Sequence, residues 1–190
     1  SDYIGEKKLN KALKKYVNKV AFQEPPYTTT IDLVNHVKEV TPDSLNYLIK
    51  DMFETITLYQ NKIVSTEAKK LENGKYQVDI EFKVSKYRND EKGKIFYGNE
   101  ERDSITFKTE EMKKPEYSVF LSDYVDVGIF GEDDDKETEL YLKKHKISSI
   151  NNKISIIVDK EPIEVGIDPY NKLIDTNSED NRKKINQEIL

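Results

Sequence analysis

The hydrophobic period of this chain changes inside residues 41–66, TPDSLNYLIKDMFETITLYQNKIVST, and that change constrains the fold more than any motif. Up to Phe53 the apolar residues recur every three or four positions, which is the spacing of one helix face. From Ile56 they recur every second position, the spacing of one strand face. The stretch therefore reads as a helix running straight into the first strand of a β-domain. The expected fold is α+β: a short N-terminal helical subdomain over residues 1–60, an antiparallel Ig-like β-sandwich over 61–176, and a polar tail over 177–190.

Before the switch the pattern is helical. Leu9, Leu13, Tyr16, Val17 and Val20 form a one-sided stripe within residues 3–22, with lysines opposite, so this helix packs on something. Gln23-Glu24-Pro25-Pro26-Tyr27 breaks it, because the two prolines remove donors and force extended geometry. A short helix is expected over residues 30–40, with Thr30 as cap and Ile31, Leu33, Val34 and Val37 as its apolar face. Pro42, Asp43 and Ser44 suit the first turn of a third helix that buries Leu45, Leu48, Ile49, Met52 and Phe53. Three such helices make too small a core to stand alone comfortably. Their apolar faces need the β-domain or another partner.

After the switch the pattern is strand-like. KYQVDIEFKV, residues 75–84, alternates strictly, with Tyr76, Val78, Ile80, Phe82 and Val84 on one face. Asn73-Gly74 before it is a strong hairpin signal and links it back to a strand over residues 63–70. Further strands are expected over 94–97, 104–107, 125–130, 139–144, 153–158 and 163–167, with a turn at Asn151-Asn152. Short strands at regular spacing, without helices between them, favour an antiparallel sandwich. Residues 177–190 read as frayed or weakly helical.

Composition removes several function classes. The net charge of -5 offers no basic footprint for nucleic acid or an anionic membrane surface, and the many lysines are interleaved with acids. The absence of cysteine excludes disulfides, thiolate zinc sites and cysteine nucleophiles. No run approaches the length of a membrane span, and the first ten residues lack the apolar core of a signal peptide. A chain that begins at Ser1 without an initiator Met is expected to be an excised or processed piece, with any targeting signal upstream.

The candidate chemistry is sparse. His36 and Glu39 have an HxxE spacing, but a zinc site needs three or four ligands, and a structural histidine is the expectation. His145 lies among lysines and reads as exposed. The acidic run Glu132-Asp133-Asp134-Asp135 could hold calcium, yet it lacks the glycine and distal glutamate of an EF-hand and reads as a solvated hairpin loop. Tyr117, Tyr124, Tyr141 and Tyr170 could stack on a sugar, although strand aromatics more often pack the core or an edge. No nucleophile elbow or P-loop occurs. No self-contained active site emerges.

Three stretches together are distinctive: Glu24-Pro25-Pro26-Tyr27-Thr28-Thr29-Thr30-Ile31-Asp32-Leu33; Thr41-Pro42-Asp43-Ser44-Leu45 continuing into Phe53-Glu54-Thr55-Ile56-Thr57-Leu58-Tyr59; and Gly166-Ile167-Asp168-Pro169-Tyr170-Asn171-Lys172-Leu173-Ile174-Asp175 followed by Asp180-Asn181. In this order they resemble the C-terminal portion of bacterial proteins that join an ABC-transporter permease to an M1-family (gluzincin) aminopeptidase-like domain. The resemblance runs from the first helix to Asn181, and its most specific part is the Gly166–Asp175 ending. It implies that residues 1 to about 60 are the last helices of a thermolysin-like catalytic domain and that the sandwich follows.

That family's chemistry uses an H-E-x-x-H helix, a further glutamate ligand and a catalytic tyrosine; none is present, so no catalytic, cofactor-binding or metal residue carries over to this chain. The resemblance places zinc in the parent protein and no cofactor in this piece. Its implied partner is the upstream catalytic domain of the same chain, with exposed apolar surface on the first helix and homodimerisation through it as a further expectation. The parent would sit in the cell membrane, while this portion inserts no segment of its own and is expected outside the cytoplasm. A cell-surface Ig-like adhesion or ligand-binding module, using the tyrosines or the Glu132–Asp135 loop, is the alternative.

Overall fold

A computed structural model describes residues 2–93, 95–97, 119 and 121–185. The chain divides into two compact units, Ser1–Ile56 and Thr57–Leu190.

The first unit holds α1 (Glu6–Val20), α2 (Thr30–Lys38) and a 3-10 turn at Asp43–Leu45 that runs into a one-turn α3 (Asn46–Ile49). Its core is small. Val34, Val37 and Ile49 are buried together, with Leu9 and Leu33 packed against them. Leu13 and Val17 stay exposed on α1.

Two local expectations are corrected here. The N-cap of α2 is Thr29, not Thr30: Thr29 is extended while Thr30 is already helical. Asp32 accepts both the Thr29 backbone N–H, at 2.8 Å, and the Thr29 hydroxyl, at 3.0 Å. These bonds hold its carboxyl below the usual range. The third helix does not bury Met52 and Phe53 either. After Ile49 the backbone widens into a π-turn over Lys50–Glu54, which turns Asp51 inward and leaves Met52 and Phe53 69% and 46% exposed. An added residue per turn rotates the apolar stripe off the core.

The second unit is a sandwich-like pair of antiparallel sheets. In sheet A, β2 (Tyr76–Asn89) lies beside β1 (Ile56–Lys70); along its other edge run β6 (Asn151–Val158) and β3 (Ile95–Tyr97). Sheet B has the order β5 (Lys136–Ile147), β4 (Asp123–Asp133), β7 (Glu164–Ile167) and β8 (Arg182–Lys184). One core lies between them, in which Ile63, Phe82 and Ile156 of sheet A join Val127, Ile129 and Ile167 of sheet B. Strict alternation produces this core directly, since every second residue of β2 from Val78 to Val84 is buried.

The Asn73-Gly74 hairpin forms as the sequence indicates. Gly74 adopts φ 82°, and its N–H donates to Leu71 O at 3.0 Å. The tight turn between β4 and β5 is made by Asp134 and Asp135, both at positive φ (50° and 59°), which suits the primed turns of short hairpins.

Elsewhere the strand expectations shift. Asn151 and Asn152 belong to β6, opposite Lys83 and Phe82. The turn precedes them, closed by Asn152 Nδ2 donating to the carbonyls of Ser149 and Ile150. The tail is only briefly helical: a 3-10 turn at Ser178–Asp180 is followed by a strand. Residues 182–184 form β8 against β7, and Asn181 and Ile185 are buried. Its charged side chains hid a strand that Arg182, stacked on Phe130, and the buried Ile185 hold in place. The strand expected over 104–107 lies outside the described residues. Among the described residues no helix is long and apolar enough to cross a membrane.

Candidate functional site

The Gly166–Asp175 stretch leaves β7 and folds over the outer face of sheet B. Asp168 takes φ 44°, which reverses the chain, and its N–H donates to Asp126 O at 2.7 Å. Its carboxylate then accepts the amides of Lys172 at 3.0 Å and Leu173 at 2.8 Å, closing the loop on itself. Burial pushes the Asp168 carboxyl up; the two amide bonds oppose this, and the charges of Asp126 and Asp175 add to it.

The loop is bonded to both sheets. Asp126 on β4 is buried and receives two ammonium groups, Lys144 at 3.0 Å and Lys172 at 2.7 Å. At the far end of the loop, Asp175 makes a parallel bridge with Tyr59 on β1, and the Asn61 N–H donates to its carboxylate at 2.8 Å. Tyr59 N donates to Ile174 O at 2.8 Å and Thr176 N to Tyr59 O at 3.1 Å. The Asn181 amide, oriented by its neighbours, donates to Asn61 O at 3.1 Å and to Asp175 at 3.2 Å. The stretch thus stitches β4 of sheet B to the edge of β1 in sheet A.

Two close approaches fix the loop's seat. A Cβ on Gly128 would lie 2.7 Å from the buried Phe130 ring and 3.1 Å from Pro169, so only glycine lets the loop lie flat there. The Arg182 guanidinium stacks 4.3 Å above the centre of the same ring. It is held by Glu164 at 2.8 Å and by Glu137, while Tyr170 meets the Phe130 edge and donates to Glu139.

A second polar cluster lies within the sandwich. Lys86 on β2 and Asp123 on β4 form an ion pair at 2.9 Å, each side chain only 2% exposed. The Tyr59 hydroxyl donates to the same carboxylate at 3.3 Å, and the ammonium lies 5.8 Å from the Tyr59 ring centre. Sequence reading missed this pair. Lys86 follows the alternating run as one more polar residue, and Asp123 stands 37 positions away. From Val84 to Arg88 every residue is buried, so alternation carries no signal there.

The residues singled out by the sequence are divided between the two units. His36 is buried in the first unit, its Nδ1 2.7 Å from Asp32 O and its ring edge-on to Tyr16. His145 is in the second unit and is half-buried, not exposed as expected. Val125 stands opposite it, so it faces the core side of β5, where its Nε2 pairs with the Tyr141 hydroxyl at 2.8 Å. Burial, and then the nearby Lys143 charge, lower its pKa. The acidic run forms the β4–β5 hairpin, with Asp133 paired to Lys160 at 2.6 Å; that bond lowers the Asp133 pKa. Tyr141 packs on the core while Tyr124 and Tyr170 are exposed, and Tyr117 lies outside the described residues. Among the described residues no three histidine, aspartate or glutamate side chains gather as a metal-binding group.

What these clusters can do chemically is hold shape. Their charges are spent on backbone amides and on each other. No family model, curated protein or solved structure matches the chain.

Proposed function

We propose that this chain is the non-catalytic C-terminal portion of an M1-like zinc aminopeptidase, forming a wall and scaffold for a peptidase site supplied by upstream sequence. The observation that carries this reading is the state of the Gly166–Asp175 motif, the most specific part of the resemblance. Its two aspartates are bonded to the Lys172, Leu173 and Asn61 amides, and its lysine to Asp126, so the motif serves as a rigid brace. The order of the units, helices and then a sandwich, agrees with this placement. Exposed Phe22, Tyr27, Ile31, Met52 and Phe53 give the helical unit apolar surface to offer a neighbouring domain.

Zinc belongs to the parent in this reading. The residues present here do not fit it, because His36 and His145 each already engage a neighbour within its own unit.

The test is the reading frame upstream of Ser1, followed by zinc content and aminopeptidase activity of the full protein. An H-E-x-x-H with a later glutamate and tyrosine, a bound zinc and activity would support the proposal. A frame without the zinc motif would sink it. Calcium or glycan binding by the piece itself would then favour an adhesion or ligand-binding module.

A further inference from the structure

The chain's net charge of -5 conceals a local reversal. α1 holds six lysines and one glutamate in its 15 residues, and all six lysines are exposed. The glutamate, Glu6, stands in the first turn, where the Asn10 amide donates to it at 3.4 Å.

One side of this helix is taken. Ala12 is buried, Leu9 packs against the Val34, Val37 and Ile49 core, and the Tyr16 ring meets His36 of α2 edge-on. On the margin of that side Lys15 pairs with Glu39. At about 100° per residue, Lys7, Lys11 and Lys14 fall on the opposite side, with Leu13 and Val17 on the flank beside them. Leu13 is 37% exposed and Val17 54%. Asn10, Leu13, Lys14 and Val17 follow the i, i+3, i+4, i+7 pattern, so apolar and cationic side chains share one exposed strip. Lys7 and Lys11 border it, and neither they nor Lys14 make an ion pair among the described residues.

We propose that this outer face of α1 docks on an anionic lipid bilayer, the helix lying flat on the surface. Leu13 and Val17 enter the headgroup layer, and Lys7, Lys11 and Lys14 pair with lipid phosphates around them. Lysine suits this position, because its stem can lie against apolar chains while its ammonium stays among the phosphates. Nucleic acid would satisfy the lysines but leave Leu13 and Val17 in water. A partner's groove would have to surround the helix, and the side of Leu9, Ala12 and Tyr16 is already covered. A planar surface needs the outer face alone. Phe22, Tyr27, Ile31, Met52 and Phe53 play no part in this contact, so it and the scaffold role can fail separately.

Cosedimentation of the full chain with vesicles of phosphatidylglycerol and phosphatidylcholine in equal parts tests this. The chain should sediment with them at low salt, come off as salt rises, and stay in solution with phosphatidylcholine alone. Lys7→Gln, Lys11→Gln and Lys14→Gln together should weaken binding on the order of a hundredfold, with an unchanged circular dichroism spectrum. Leu13→Gln with Val17→Gln should weaken it several-fold, a loss that a purely electrostatic contact would not show. An unaltered chain that stays in solution with the anionic vesicles overturns the proposal, as does equal sedimentation with phosphatidylcholine alone. So does a folded triple variant that binds undiminished, which would place the contact elsewhere. Undiminished binding by the double variant, or duplex DNA bound as tightly as the vesicles at the same salt, would reduce the face to a general polyanion contact and overturn it too.

Discussion

The two units of this chain face the same task with unequal means. The sandwich unites fifteen buried apolar residues from both sheets in one core. The helical unit gathers three, while Phe22, Tyr27, Ile31 and Met52 each stay more than two-thirds exposed. Burial at roughly 25 cal/mol per Å² makes the first core ample and the second marginal. The sandwich can therefore keep its own shape, whereas the helices rely on caps, short ion pairs such as Lys38–Glu54, and whatever covers their apolar face. A scaffold role suits such a division, with one unit rigid and the other presenting surface.

Core truncation should separate the units most. Phe82→Ala in β2 removes a ring that is 1% exposed and is expected to cost about 3–5 kcal/mol in chemical denaturation. Met52→Ala in the helical unit should change stability by no more than about 0.5 kcal/mol. Comparable losses at both sites would erase the contrast.

The buried pair comes next. Lys86→Met takes the bonded cation away from the buried Asp123 carboxylate and should cost about 3 kcal/mol or more, while adding Asp123→Leu should recover much of it. A single variant as stable as the unaltered chain would mean that the pair does not hold the sheets. Gly128→Ala probes the seat of the C-terminal loop. It forces a methyl into the Phe130 ring and should cost about 1–3 kcal/mol, together with faster proteolysis after Asp168.

The smallest effect is a pH dependence. His145 has its pKa lowered from 6.5 in the fold, so just below 6.5 the unfolded chain binds more protons than the folded one. Stability should rise with pH across that window and fall on acidification. His145→Gln should flatten the slope there, and an unchanged slope would remove His145 as its source.

Much of the sandwich was legible because period-two alternation and an Asn-Gly turn are local signals. Val78, Ile80, Phe82 and Val84 announce their face without reference to any partner strand. The π-turn at Lys50–Glu54 was not legible, since Met52 and Phe53 continue a helical stripe that the backbone abandons. β8 was hidden because an Arg-Lys-Lys strand gains its place from Arg182 stacking on Phe130, a contact 52 residues apart in sequence, from 130 to 182. In the site, Asp168 and Asp175 could be picked out from the motif. Lys86, Asp123, Asp126 and Asn181 could not, as their roles arise only when β2, β4 and the loop come together.

Hydrogen exchange on the whole 190-residue chain addresses the division of labour most directly. Amides of β2 and β4, around residues 78–84 and 125–130, should open only with global unfolding. Those of α1 and α2 should exchange on the order of a hundredfold faster, through local opening of the helical unit. Equal protection of helices and sheets, lost together in one transition, would contradict this account and make the chain a single cooperative body.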